Sequence, residues 1–508
     1  MARKEQEDGE LRPAGYARLI DRYELEVISN WHVSYVTGRA TRRITETRGK
    51  IQEIFPSSYW PGEGPGDHLE FALKYDGTNL GILACLFETI ELELFLDYVH
   101  SKPQGKYVRR LWFLYEFLTG RTLPIEDLKT GNYVSLLDTN QYFTLRPGRR
   151  ITRQRIDNNL LGDSRFCPTV RRTKALQDYV DARLADRSRE VVSSYSPDLL
   201  KRALSYFYLK ETKSSFEIEN IKPGSTRIER FTALLHSADR EDFCSKTKLV
   251  EAHDQIVDER FREFDYRTTQ NYVGESISWQ QERVYFVAPR PKDLPELMEG
   301  LIDANTQMTE GDLQPVIQSA AIAYGFVFLH PFMDGNGRIH RFLIHNILAT
   351  RGFTPEGMLF PVSAAMLQHI ADYDKSLEAF SLPLMSLVEY DLDEVGHMTV
   401  LNDTAHFYKY IDVTHQAEAL FGFIKNTIDE ELTVELEFLK NYDKAKEAIS
   451  EIVDMPDKLA SLFIRLCLQN NGRLSATKRD EHFERLSDEE ISLMEKAVQA
   501  SYGIDTRV

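Results

Sequence analysis

Cysteine is scarce in this chain: four in 508 residues (Cys85, Cys167, Cys244 and Cys467), far apart and forming no CxxC pair. That excludes a disulfide scaffold and a cysteine-built zinc module, and it fits a reducing, cytoplasmic setting. Long apolar runs are missing too. Nowhere do the about 18 consecutive apolar residues needed to cross a bilayer occur, and the charged start MARKEQEDGELRP lacks the apolar centre of a signal peptide, so no membrane partner is expected. Positive charge is in deficit, with 62 Lys and Arg against 79 Asp and Glu, a net charge of −17. This balance disfavours nucleic acid as a partner, a local basic patch apart. Internal repeats and low-complexity tracts are absent as well, which excludes a solenoid. What is present is apolar material for large cores, 42% of residues with 11% aromatic. The length corresponds to about two to four domains.

The charged first ten residues are expected to be loose. Residues 68–98 carry helical apolar spacing, interrupted at the Asp76-Gly77 turn signal, and residues 109–118 read as a buried helix stopped by Gly120. Residues 133–137 and 142–145 predict a β-hairpin around 138–141. A polar stretch at 193–197 marks a boundary. Beyond it, Leu313, Val316, Ile317, Ala320, Ala321, Tyr324, Val327 and Phe328 recur at helical spacing, and residues 339–348 continue as a helix capped near Gly352. The reading is mainly α with small β-hairpins. It has three parts: 1–200, mostly helical with hairpins; 201–390, catalytic; and 391–508, a helical C-terminal domain.

Chemistry concentrates in His330-Pro331-Phe332-Met333-Asp334-Gly335-Asn336-Gly337-Arg338-Ile339-His340-Arg341, a loop running into a helix N-terminus. Gly335 and Gly337 admit left-handed turns and close backbone approach to a ligand. The first N–H groups of the helix lack intrahelical acceptors and, with the helix dipole, form an anion pocket. Arg338 and Arg341, three apart, share a helix face from which both can reach a polyphosphate. Asp334 is a hard oxygen ligand suited to Mg²⁺ already held by phosphates. His330 can take a proton from an attacking hydroxyl near neutral pH. Each residue also has a plainer role: a capping histidine, turn glycines, an N-cap aspartate, arginines on a solvated face. Their joint occurrence in one short stretch points to nucleotidyl or phosphoryl transfer.

HPFMDGNGRIHR resembles the signature of the Fic (filamentation induced by cyclic AMP) family, H-P-F-x-(D/E)-G-N-G-R-x-x-R, at every fixed position. The resemblance spans about residues 205–390. It implies a small helical bundle with a β-hairpin flap, and transfer of AMP from ATP to a Ser, Thr or Tyr hydroxyl of a protein with release of pyrophosphate. By position it implies His330 as general base, Asp334 as Mg²⁺ ligand, and Gly335, Asn336 and Gly337 as phosphate cradle. Arg338 and Arg341 would hold the β- and γ-phosphates, and Phe332 would anchor the loop. Residues 266–291, with β-like runs at 271–273 and 284–287, are similar to the flap, where a target segment adds as a strand. Tyr373, in HIADYDKSLEAF, is similar to the family's nucleotide-side tyrosine region, with a single Tyr where many members have two.

Upstream, Ser215-Phe216-Glu217-Ile218-Glu219-Asn220 matches the family's autoinhibitory pattern (S/T)-x-x-x-E-(G/N), here N-terminal to the core. The match implies Ser215, Glu219 and Asn220 as inhibitory residues. Glu219 is expected to pair bidentately with Arg341 and hold ATP out of line for attack. Expected ligands and partners are ATP, Mg²⁺ and a hydroxyl-bearing protein; self-modification and self-association stay open. One alternative on the same fold is removal of AMP or transfer of another nucleotide. Another is a non-enzymatic adaptor or DNA-binding role for the C-terminal helices, invited by residues 469–473 with Lys478 and Arg479.

Overall fold

The computed structural model describes residues 11–38, 41–47, 49–278 and 281–504; the first ten, expected to be loose, lie outside them. The fold is mainly α, with strands confined to small sheets. No helix among the described residues is long and apolar enough to cross a membrane. Two compact units divide the chain. One comprises the described residues of 1–182, 215–353 and 369–422, the other those of 183–214, 354–368 and 423–508. These units do not follow the boundaries of the three sequential parts expected from the sequence. The polar stretch before residue 200 leads directly into helix Pro197–Glu217 rather than into a linker. Residues 391–422 belong with the first unit, where Cys167 and Thr169 donate their N–H groups to Lys409 O and Ile411 O, and Tyr408 donates to Val287 O.

The N-terminal stretch of the first unit holds a four-stranded sheet that periodicity did not predict. His32–Thr37 lies between Arg12–Ala14, antiparallel, and Lys50–Pro56, parallel, and Arg43–Thr47 forms the far edge. Helices Leu80–Thr89, Leu92–Ser101 and Lys106–Thr119 bury Leu83, Leu86, Phe95, Leu111 and Trp112 completely in one core. The hairpin expected across 133–145 does not form. Val134–Ser135 pairs with Ile156–Asn158 instead, and Tyr142 bridges Arg171. Asp138 explains this: its carbonyl accepts from Gln141 and Tyr142 and its carboxylate from Asn140 N–H, a turn that sends the two arms to different partners.

The rest of the first unit builds the site. The chain enters at residue 215, in the last turn of α1 (Pro197–Glu217), runs through α2 (Ser225–Leu235) and α3 (Lys246–Ile256), and forms a hairpin of β1 (Tyr272–Ser278) with β2 (Gln281–Val287). Helices α4 (Leu294–Glu310), α5 (Pro315–Leu329), α6 (Asn336–Thr350) and α7 (Ile370–Met385) follow. Helix α5 starts where Gln314 accepts Ile317 N–H with Pro315 in the first turn, and it is apolar and buried nearly all round. Such a helix must be the central one of its bundle, and α5 packs against both α4 and α6.

In the second unit, Thr433–Ile452, Asp457–Leu468 and Asp488–Tyr502 close a core around Phe463, Ile464, Met494 and Val498. Lys478 pairs with Glu481 and Arg479 with Asp488, two of the cations that invited a DNA-binding reading.

Candidate active site

The site begins where α5 ends. His330 caps that helix with a left-handed backbone (φ 50°), its N–H bonded to Phe326 O. Its Nδ1 lies 3.1 Å from Val327 O. A carbonyl only accepts, so the proton sits on Nδ1 and the lone pair on Nε2. Desolvation in this half-buried seat brings the imidazole pKa down to about 4, leaving it neutral at pH 7. The loop beyond is anchored by Phe332, fully buried and stacked on His253 with ring centres 4.3 Å apart. Asn336 closes it from the other end: Phe332 N–H donates to Asn336 Oδ1 at 3.0 Å, and Asn336 Nδ2 donates back to Phe332 O at 2.7 Å.

Gly335 takes φ 83° to turn the chain into α6, a conformation that favours glycine. Gly337 does not share that conformation, contrary to the expectation for both glycines; it is an ordinary helical residue. It must be small because a Cβ there would stand 2.5 Å from Glu219 Oε1. Glycine at 337 thus leaves room for an oxygen anion against the first turn of α6, where N–H groups lack intrahelical acceptors.

The anion in that room is Glu219. Its Oε1 lies 2.6 Å from Arg341 Nη2 and its Oε2 2.8 Å from Arg338 Nε. The bidentate pair expected with Arg341 alone is therefore replaced by a bridge, one carboxylate oxygen to each guanidinium. Arg338 and Arg341 are essentially fully buried, whereas the Glu219 side chain keeps 23% of its exposure. Two buried cations thus share one carboxylate. Arg338 adds a 2.6 Å contact to Asp334 Oδ1. Arg341 is held further by Ser215, through Oγ at 2.9 Å and the carbonyl at 2.7 Å. Burial opposes the Arg341 charge, yet the Glu219 carboxylate keeps its pKa above the ordinary value.

Asn220 explains the last position of the upstream pattern. It adopts φ 55°, its N–H bonds Glu217 O, and Ile221 N–H bonds Phe216 O, a Schellman stop immediately after Glu219. Asn and Gly are the residues that tolerate this conformation. Tyr373 is buried, with its hydroxyl 3.4 Å from Arg341 Nη1. Its hydroxyl thus touches one of the two arginines of the site.

The hairpin β1–β2 matches the strands expected at 271–273 and 284–287, with a register irregularity after Val273. Several residues at the site carried no role in the sequence reading. Arg227 stands with its guanidinium 5.3 Å from the Phe216 ring, on which Arg338 also stacks at 5.4 Å. Glu263, Arg267 and Asn271 all bond the backbone of the His330 loop. The only sequence signal for them was their position just before a β-like run; their partners lie about 60 to 70 residues further on.

Residues 243–348 match the Fic/DOC family, a narrower span than the 205–390 read from the motif. A protein adenylyltransferase Fic of Culex quinquefasciatus is 32% identical over 121 residues, 23% of this chain and 22% of that protein. One of Nematostella vectensis is 36% identical over 90 residues, 18% of this chain and 19% of that one. This chain thus aligns with about a fifth of the length of these relatives. A crystal structure of a Fic family protein from Desulfovibrio desulfuricans G20 covers 66% of this chain and 86% of its own at 18% identity, with a TM-score of 0.35. The match to the Fic/DOC family thus applies to residues 243–348 of this chain.

Proposed function

We propose that this protein transfers AMP from ATP to a Ser, Thr or Tyr hydroxyl of a protein, and that Glu219 restrains the reaction. The observation that carries the reading is the Glu219 carboxylate bridging two buried arginines at a helix N-terminus: the pocket already holds an anion from its own chain. A phosphate in the same place would make the same charge-assisted contacts. The relatives named protein adenylyltransferase support the choice of AMP as the transferred group.

In the proposed step, His330 Nε2 takes the proton of the incoming hydroxyl. Its oxygen bonds to the α-phosphorus, the bond from that phosphorus to the bridging oxygen breaks, and pyrophosphate leaves. The Val327 carbonyl keeps the imidazole in the tautomer this requires. Arg338 and Arg341 neutralise the departing phosphates. Asp334 fits a Mg²⁺ held mainly by phosphate: its Oδ2 has no partner among the described residues, and they contain no cluster of three or more side chains able to hold a metal unaided. Bound there, Mg²⁺ would supply positive charge to the phosphate oxygens. With Glu219 in place, one arginine contact per guanidinium is already occupied, so the triphosphate sits away from the in-line position.

The test is incubation of the purified protein and its Glu219→Gly variant with ATP labelled on the α- or the γ-phosphate, alone and with cell lysate. Protein labelled from α-labelled ATP alone is the expected result. Label arriving from the γ-phosphate would overturn the proposal in favour of a kinase.

A further inference from the structure

The backbone of the His330–Met333 loop is bonded residue by residue to a single segment elsewhere, the stem of the hairpin. Arg267 Nε donates to His330 O at 2.8 Å, and Arg267 N–H donates to Pro331 O at 2.8 Å. Asn271 Nδ2 reaches Phe332 O at 3.1 Å and Met333 O at 3.2 Å. Met333 N–H donates to Glu263 Oε2 at 2.8 Å. Every carbonyl from 330 to 333 therefore receives a donor from residues 267–271.

Arg267 also grips both ends of the hairpin. Nη1 donates to Thr269 O at 2.9 Å, before β1, and Nη2 to Pro289 O at 2.6 Å, after β2. The side chain is 4% exposed, and burial lowers its pKa to about 10. A guanidinium buried with a carbonyl on each of its three nitrogens is a fixed joint, because five donors in a planar fork define all three directions at once. A plain packing role would not need a charge in this place.

We propose that Arg267, assisted by Asn271, is a positioning residue that fixes the His330 backbone to both stems of the hairpin, so that the base and the strand expected to present the target hydroxyl move as one body. The inference rests on the AMP-transfer reading for its catalytic consequence, but the joint itself can be measured without any reaction. Lysine at 267 keeps the charge but, with one nitrogen, cannot reach the three carbonyls together. Asn271→Ala removes the second tie with less loss of buried structure.

The experiment is hydrogen–deuterium exchange on the full chain and on the Arg267→Lys and Asn271→Ala variants, followed by kinetics in the Glu219→Gly background with α-labelled ATP. Expected is faster exchange in both variants at residues 272–287 and at 333–335 together, with residues 457–502 unchanged. In the kinetics, kcat for labelling should fall by about 10²-fold for Arg267→Lys and about tenfold for Asn271→Ala, with KM for ATP within about threefold. If the hairpin loosens while the loop exchanges at the parent rate, or if the loss lies in KM for ATP, the proposal is overturned. If Arg267→Lys does not fold, Asn271→Ala decides the same question. An inactive Glu219→Gly parent would defeat the AMP-transfer reading, while the exchange result would still judge the joint.

Discussion

The two sides of the pocket are built on opposite principles. On the His330 side the groups are neutral or backbone-bound: an imidazole tied to a carbonyl, a buried phenylalanine, an asparagine closing the loop in both directions. On the α6 side, two buried guanidinium groups share one partly exposed carboxylate from the turn that follows α1. The first side has no charge that a ligand could exchange for its own. The second is held by contacts to an anion, the Glu219 carboxylate, and under the proposed function a polyphosphate would take its place. A neutral, fixed imidazole and a charged clamp are what the proposed base and the proposed restraint require.

The sharpest way to break this comparison is at the base. His330→Ala should lower AMP transfer by about 10² to 10⁴-fold while leaving ATP binding and the thermal transition close to the parent's, since the base and the phosphate clamp share no contact. Labelling by the Ala variant at the parent's rate would remove His330 from its role.

Next in size is the clamp. Glu219→Gly should raise labelling on the order of 10²-fold, because a misplaced phosphate is what the carboxylate enforces. It should also destabilise the protein without nucleotide by about 1–3 kcal/mol, less than for a fully buried pair because Glu219 is partly exposed. Added ATP should then raise the melting temperature more in the variant than in the parent, since only there does it restore the missing charge. Equal labelling of variant and parent, both active, would leave the base side standing and end the idea of restraint.

Gly337→Ala probes the boundary between the two sides. Its Cβ would displace the Glu219 oxygen, a flexible side-chain end, and would equally obstruct a phosphate. Weaker ATP binding by about tenfold, with no gain in labelling, is expected from nucleotide titration and the labelling assay. A gain like that of Glu219→Gly would mean that the phosphates lie elsewhere.

The smallest effect is in pH. With its pKa lowered to about 4, His330 stays unprotonated through the usual histidine range. The labelling rate of Glu219→Gly should therefore be flat from pH 7.5 to about 5.5 and fall only below that. The same shift has a stability sign. The unfolded chain binds this proton near pH 6.5 and the folded chain only near 4, so falling pH across that window favours unfolding, and His330→Ala should lessen that loss. A rate midpoint near 6.5 would show a solvated histidine instead.

Much of this site was legible in the chain. HPFMDGNGRIHR announced a loop, a helix start, a base and two arginines in order, because local spacing on a helix decides which side chains share a face. The upstream SFEIEN announced a carboxylate, but not that Asn220 ends the helix there. Three things were not legible. Glu219 reaches Arg338 as well as Arg341, a matter of where the turn at residues 218–220 lies against the start of α6, more than 100 residues further along the chain. Gly337 is small because of a side chain from a distant turn, not because of its own backbone. Arg267 read as an ordinary polar residue, since nothing local tells a buried guanidinium from a solvated one.

By itself, then, the sequence determined the mainly helical class, the buried α5, the turn at Gly335 and the chemical kinds of group in the pocket, all consequences of periodicity, backbone preference and side-chain chemistry within a few residues. Tertiary structure alone decided the pairing of the strands near 134 and 156, the discontinuous division into two units, the bridge made by Glu219 and the joint made by Arg267. Each of these depends on which distant segments come into contact, and the unpaired carbonyls, carboxylates and cations of one segment find their partners only when the core brings the other to within hydrogen-bonding distance.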